Sequence, residues 1–220
     1  MNSHRFSRLA LAIIALVLGF SNAAFAGPPL ICHAIEIGPA KTLPWVDLNY
    51  RKGSGSYDLD NLTRDTLAIL DSNAPILVQM ETLRRATIYA RQDKQVAKQL
   101  LVQLHVRAER SDAKPDALFD FGYLAEAYKQ WMMGNGESNP ARGVDGYGWA
   151  KRAIAQKGSD PQMEFGAAMI TLAGPESEHK HHVEQAMAGA KADPLLAQNL
   201  ASNFRKQTMA SLLNEGEPKQ

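Results

Sequence analysis

From Asp58 onward, apolar residues return at intervals of three and four, and no stretch alternates apolar with polar over the length of a strand. That period puts one apolar stripe on each of a series of helices. Leu59, Leu62, Leu67 and Leu70 mark a first short helix. Ile76, Met80, Leu83 and Thr87 stripe a second, with Leu77, Arg84 and Ile88 beside them. Val96, Leu100, Leu104 and Ala108 define a third, and Ala117, Phe121, Leu124, Tyr128 and Trp131 a fourth. Further helices are expected near 144–157, 161–173, 177–191 and 194–213. Pro75, Pro115, Pro161, Pro175 and Pro194 each fall where a helix begins, the position that tolerates a missing amide hydrogen. Asp160 and Asp193 directly precede two of them and are placed to cap the free amides. Connections of two to five residues turn each helix back on its neighbour. The fold class expected is all-α, built of antiparallel helix hairpins stacked one on the next.

The residues before Asp58 divide in two. Arg5 and Arg8, with His4, make a basic start, followed by the uncharged run Leu9 to Phe20 and by Ala24-Phe25-Ala26 ahead of Gly27. This is the pattern of a cleavable export signal over residues 1–26. Its apolar run of about a dozen residues is shorter than the roughly 20 that span a bilayer. A lipid-attachment site is not expected at Cys32, because Leu30-Ile31 stand where a small residue is needed. Residues 27–57 hold Pro28, Pro29, Pro39, Pro44 and the run Gly53-Ser54-Gly55-Ser56, without helical period. They are expected to form an extended arm. Leu30, Ile31, Ile35, Ile37, Leu43, Trp45 and Leu48 make it too apolar for a free tail, so it should lie against the helical body or a partner. Residues 58–213 are the helical domain, and 214–220 a disordered tail.

Charge and cysteine usage narrow the function classes. There are 24 Lys and Arg against 23 Asp and Glu, a formal charge of +1; losing Arg5 and Arg8 with the signal turns this to −1. A near-neutral, mixed surface argues against nucleic-acid binding. No second apolar run approaches membrane-spanning length, so no stable membrane insertion is expected after cleavage, and the mature chain is expected to be periplasmic or secreted. One cysteine allows no internal disulfide.

The second half repeats itself. Lys151-Arg152-Ala153-Ile154-Ala155, ending in Asp160-Pro161, aligns without a gap on Glu184-Gln185-Ala186-Met187-Ala188, ending in Asp193-Pro194. Phe121-Gly122 and Phe165-Gly166 both come early in a helix, where glycine lets a facing helix approach closely. Periods of this size belong to helical repeat arrays. Trp149 to Ala168, with Trp149, Ala153, Gln156, Gly158 and Phe165-Gly166, resembles the junction between Sel1-like repeats, relatives of tetratricopeptide (TPR) repeats. Phe121-Gly122 with Tyr128 is similar to the first-helix part of that pattern. The resemblance covers about residues 117–200, lacks the glycine-valine turn in register, and fits residues 58–110 poorly. It implies a short TPR/Sel1-like α-solenoid that binds proteins or peptides, and it implies no chemistry. Pro28 to Trp45 also resembles the opening of a group of exported bacterial proteins of unknown function.

Few residues point to chemistry. Cys32-His33 offers a thiol beside an imidazole, but neighbours on an extended chain face opposite ways, and no second cysteine completes a metal or haem motif. The simpler reading is a small buried hydrophobe beside a surface histidine. His179, His181 and His182, with Glu178 and Glu184, form the one histidine cluster. On a helix His179 and His182 share a face, and Glu178 reaches His182 at a spacing of four. That could hold a soft divalent metal, although it is not H-E-x-x-H; the simpler reading is a solvated polar face. The Gly134–Gly143 loop lacks the Lys and Ser or Thr of a phosphate loop. The Arg84-Arg85 pair and the charges from Arg107 to Arg110 read as solvated faces. Asp120, Glu126 and Glu164 are unremarkable acids, and no triad can be assigned. Tyr123, Tyr128, Trp131, Tyr147 and Trp149 flank the loop, either as packing between repeats or as a recognition groove.

The expectation is an exported helical-repeat protein that binds another protein or a peptide, without cofactor and without evident catalytic activity. The alternative is a periplasmic metal- or small-ligand-binding protein using Cys32 and His33 or the His179–His182 cluster.

Overall fold

The periodic stripes become helices close to their expected bounds. The structure, a computed structural model, describes residues 28–46, 54–131 and 139–204. The expected export signal, residues 47–53 of the arm, part of the Gly134–Gly143 loop, residues 205–213 of the last expected helix, the tail and the side chain of Trp131 lie outside the described residues. Among the described residues the secondary structure is helical throughout, with no strand. The helices are α1 (Pro29–Cys32), α2 (Leu62–Leu70, entered through a 3-10 turn at Leu59–Asn61), α3 (Ile76–Ala90), α4 (Lys94–Glu109) and α5 (Pro115–Trp131), then α6 (Gly146–Lys157), α7 (Pro161–Thr171), α8 (Glu176–Ala190) and α9 (Pro194–Asn203). The chain is all-α. α1 was not expected, since a helix of 4 residues cannot display a helical period; Pro29 at its first position supplies the fixed φ that starts it.

The helix starts work as their residues dictate. Asp160 Oδ1 accepts from the amides of Gln162 and Met163, at 2.9 and 3.3 Å, and Asp193 Oδ1 from Leu196 at 3.0 Å. Asp93 and Asp145 cap α4 and α6 in the same way. Gly158, with φ +83, closes α6 in the left-handed conformation that glycine adopts most cheaply.

Side-chain contacts fix the directions. α6 runs antiparallel to α5: Lys157 meets Asp116 at one end, Ala150 lies by Gly122 in the middle, and the Tyr147 amide donates to Glu126 at the other. α8 runs antiparallel to α7, with Gly189 against Pro161, His182 on Glu164 and His179 on Ala168. α4 is antiparallel to α5 as well, pairing Ala97 with Tyr128 and Arg107 with Asp120. α3 and α7 run side by side in one direction, because Leu77 meets Gln162 and, one turn on, Met80 meets Gly166, and Phe119 of α5 packs between them at that second level. These three helices form an inner layer, and α4, α6 and α8 lie outside it.

The two Phe-Gly pairs do not do the same job. A Cβ on Gly122 would fall on the Gly146 carbonyl oxygen and 2.9 Å from the Ala150 nitrogen, so α5 and α6 touch backbone to backbone. A Cβ on Gly166 would strike the tip of the buried Phe119 ring, which belongs to the next helix of the inner layer and not to α8. In the α7–α8 hairpin the close approach is made by Gly189 on Pro161 instead.

Candidate functional site

All of α3 is buried except Arg85, which is half-buried, although its sequence includes Gln79, Glu81, Thr82, Arg84 and Thr87. A helix buried all round needs cover on every side. One side is covered by residues 28–46, and the buried polar groups of α3 are what hold them there. Arg84 is 1% exposed and forks onto Glu81, Nε to Oε2 at 2.7 Å and Nη2 to Oε1 at 2.8 Å. Its remaining Nη1 donates to the Ile31 carbonyl at 3.0 Å. Arg85 donates from Nε to Glu81 Oε1 and from Nη1 to the Leu43 carbonyl, both at 2.7 Å. Glu81 also accepts the Ile35 amide at 3.0 Å. Burial alone would raise the Glu81 pKa, but the two guanidiniums and the Ile35 amide together bring it below the ordinary value. Arg84 and Arg85 both lie over the Trp45 ring, 5.2 and 5.5 Å from its centre. The expectation that Arg84 and Arg85 are solvated is therefore overturned. Spacing places them correctly on the helix, but the segment that covers them comes from far away in sequence.

The rest of the segment is held by main-chain recognition too. Asn199 on α9 accepts the Glu36 amide and donates to the Glu36 carbonyl, each at 2.9 Å. Gln130 accepts the Leu30 amide at 2.9 Å, and His33 Nδ1 pairs with Asn203 Oδ1 at 2.6 Å. Thr42 and Thr82 share a hydroxyl bond at 2.8 Å. The Tyr89 hydroxyl donates to the Pro44 carbonyl at 2.5 Å and accepts the Ser54 amide at 2.8 Å, so one atom holds both ends of residues 44–54. Cys32, half-buried, closes α1, and His33 is likewise half-buried rather than on the surface.

The histidines separate. His182 is buried and donates from Nδ1 to Glu164 Oε2 at 2.6 Å, while its Nε2 meets the Tyr147 hydroxyl at 2.7 Å. His179 is buried as well; its Nδ1 donates to the Ala168 carbonyl at 3.0 Å, and burial lowers its pKa. Of these three, only His181 faces solvent. The solvated-face reading holds for His181 and fails for His179 and His182, because α8 turns those two inward against α7. Among the described residues, no three His, Cys, Asp or Glu side chains converge as metal ligands would. The Glu164–His182–Tyr147 chain lines a cleft of about 470 Å³ with Lys151, Ile154 and Ser177. Burial, followed by the hydrogen bond and charge of Glu178, pushes the Tyr147 pKa up. The hydrogen-bond chain ties α6, α7 and α8 together.

Of the five flanking aromatics, the four whose side chains are described do not share one surface. Tyr123 and Tyr128 are fully buried. Tyr147 turns toward α8, whereas Trp149 packs edge-on to Phe121 at 5.0 Å beneath the Arg152 guanidinium, 3.6 Å from its ring centre. Arg107 is also not solvated: it reaches Asp71 at 2.8 Å and Asp120 at 2.7 Å, joining α2, α4 and α5. Asp120 is fully buried, its Oδ1 accepts no hydrogen bond among the described residues, and burial pushes its pKa up to about 7 against the pull of Arg107.

Sequence reasoning missed Glu81, Tyr89, Gln130 and Asn199. For Glu81 a signal existed, because an acid three and four residues before Arg84 and Arg85 makes helical ion pairs. For Asn199 there was none, since its partner Glu36 is 163 residues away. Comparison with family models, with curated proteins and with solved structures finds no match to this chain. What fold and site define is an all-α protein whose inner layer of helices holds a segment of main chain by side-chain hydrogen bonds.

Proposed function

We propose that this chain is an exported helical-repeat protein of TPR/Sel1-like type whose role is to bind another protein or a peptide. The observation that carries the reading is the inner face of α3 and α9, where Glu81, Arg84, Arg85 and Asn199 all bond to main-chain groups of residues 31–43. Side chains aimed at peptide groups recognise a conformation more than a sequence, which suits a surface for extended polypeptide. The pairing of α5 with α6 and of α7 with α8, with a layer of parallel helices inside, accords with stacked repeats. No catalytic role is proposed: Glu164, His182 and Tyr147 bond to one another and tie α6, α7 and α8 together. The test is capture by the purified mature chain from a native envelope extract, followed by mass measurement of the complex. A defined complex of fixed stoichiometry is expected; a chain that stays alone at micromolar concentration in every fraction would refute the reading. N-terminal sequencing of the exported form should start at or near Gly27.

A further inference from the structure

We propose that the groove between α3 and α9 receives an extended segment of a partner protein bearing aliphatic side chains at two alternate positions, and that Ala34–Lys41 is its occupant in cis. This rests on the binding function proposed above and assigns its surface.

Exposure along the segment alternates. Ala34, Glu36 and Gly38 face solvent, while Ile35 and Ile37 are buried against the body. That period of two is the signature of an extended strand lying on a surface. Recognition is generic at each point: Glu81 takes the Ile35 amide, Asn199 takes the amide and carbonyl of Glu36, and two aliphatic side chains set the register. Any strand with the pattern aliphatic-x-aliphatic can meet those demands, and main-chain bonding with alternate side-chain pockets is how added strands are recognised. Gly38, with φ +59, turns the chain immediately after Ile37, so the matched stretch is short.

The segment is anchored beyond its two ends, independently of its middle. Upstream, Leu30 and Ile31 are fully buried and Arg84 holds the Ile31 carbonyl. Downstream, Leu43 is buried, and Arg85 and Tyr89 hold the Leu43 and Pro44 carbonyls. Between them Pro39, Ala40 and Lys41 are exposed. The middle can therefore lift, uncovering Ile35 and Ile37 while Leu30, Ile31 and Leu43 stay buried, a local opening rather than unfolding. The groove also keeps its shape without its occupant. Asn199 Nδ2 donates to Leu195 within its own helix at 2.8 Å, and Glu81 is fixed by both arginines. Preorganised groups of this kind lose little freedom when a new strand arrives.

The test uses the full mature chain and a fluorescein-labelled peptide with the sequence of residues 33–42. Fluorescence anisotropy is compared for the wild type, for Ile35→Ser with Ile37→Ser, and for that double variant carrying Asn199→Ala, each checked for helical content. The loosened double variant should bind the peptide about tenfold or more tightly than wild type does, and Asn199→Ala should remove about tenfold of that affinity, the loss of two hydrogen bonds to a peptide group. A folded double variant that ignores the peptide overturns the proposal. Hydrogen exchange on the wild type decides independently of whether the variants fold: the Ile35 and Glu36 amides should exchange about a hundredfold faster than those of Leu83 and Arg84 in α3. Equal rates would mean that the segment leaves only on unfolding, and the proposal falls. Equal capture of a native partner by wild type and by Asn199→Ala alone would leave the binding function standing and overturn this surface as its site.

Discussion

The α5–α6 and α7–α8 hairpins are closed by small residues, whereas the contact between α3 and residues 28–46 is closed by charge. At Gly122 and Gly146 two helices meet through backbone atoms, and at Gly189 a proline ring fills the gap. Such contacts fail by crowding, in proportion to the size of the added group. At Glu81, Arg84 and Arg85 each desolvated group is satisfied because the others are present. That interface fails by orphaning, since loss of one member leaves the rest buried without a partner. One core thus has a part that tolerates small errors and a part that does not.

The largest effect should come from Glu81→Ala. Removing it leaves the Arg84 guanidinium buried with the Ile31 carbonyl and the Trp45 ring face but no counter-charge, and takes the Glu81 acceptor from the Ile35 amide. Breaking a buried ion pair from one side costs about 3–5 kcal/mol. Urea midpoints, read with an unchanged slope, measure it. A cost no greater than that of Gly122→Ala would dissolve the contrast between the two regions.

Next comes a dependence on pH that sets two buried acids against each other. Asp120 is pushed up to about 7 from an ordinary 3.8, chiefly by burial. Between those values the folded chain holds a proton that the unfolded chain has released, so stability falls as pH rises through that window. Glu81 has the opposite sign. Its lowered value stabilises the fold above the ordinary 4.5, and that contribution is lost as pH falls through the lowered value. Going from pH 7.5 to 5 therefore engages Asp120 and leaves Glu81 ionised. The wild type should gain on the order of 2 kcal/mol relative to Asp120→Asn over that range. Parallel pH profiles for the two chains would show that Asp120 is ionised in the fold at pH 5.

How far each region could be read from sequence follows the same division. Helix stripes, proline starts and the Asp160 and Asp193 caps are local, so they were legible from spacing alone. Gly122 was legible as a close approach, and Gly166 only in part, because the ring it meets belongs to another helix. The groove was almost invisible. Arg84 and Arg85 look like any solvated pair until Leu30 to Leu43 is laid over them, and nothing near Asn199 announces Glu36. His179 and His182 were misread for a related reason: whether a polar helix face is wet depends on its neighbour, here α7.

The glycine variants sharpen the hairpin side. Gly122→Ala and Gly166→Ala would each gain about 1 kcal/mol of helix propensity. Overpacking of about 1–3 kcal/mol should outweigh it at both sites. The net loss should be larger at Gly122, where the obstacle is the backbone of α6, than at Gly166, where the Phe119 ring and the Met80 sulfur can shift. Gly166→Leu should cost more than Gly166→Ala. Raised urea midpoints for both alanine variants would show that neither glycine sits at a tight crossing.

The smallest effect tests whether a helix cap can also be a tether. Asp160 uses one oxygen, Oδ1, for both amides it caps, and its Oδ2 lies 3.8 Å from Lys157. Asp193 divides its oxygens: Oδ1 caps α9, and Oδ2 accepts Gln162 Nε2 at 2.6 Å. Gln162 in turn accepts the Leu77 amide at 3.1 Å, so a chain of bonds joins the starts of α9, α7 and α3. Asparagine caps a helix about as well as aspartate but has one carboxamide oxygen. Asp160→Asn should therefore change stability by no more than about 0.5 kcal/mol. Asp193→Asn keeps the cap yet turns an N–H group toward Gln162 Nε2, and should cost about 1 kcal/mol through the lost bond. Adding Gln162→Ala to each background separates the two cases: the cost of Asp193→Asn should shrink once Gln162 is gone, whereas that of Asp160→Asn should not. If the Asp193→Asn cost persists, the tether contributes nothing and Asp193 acts as a cap alone.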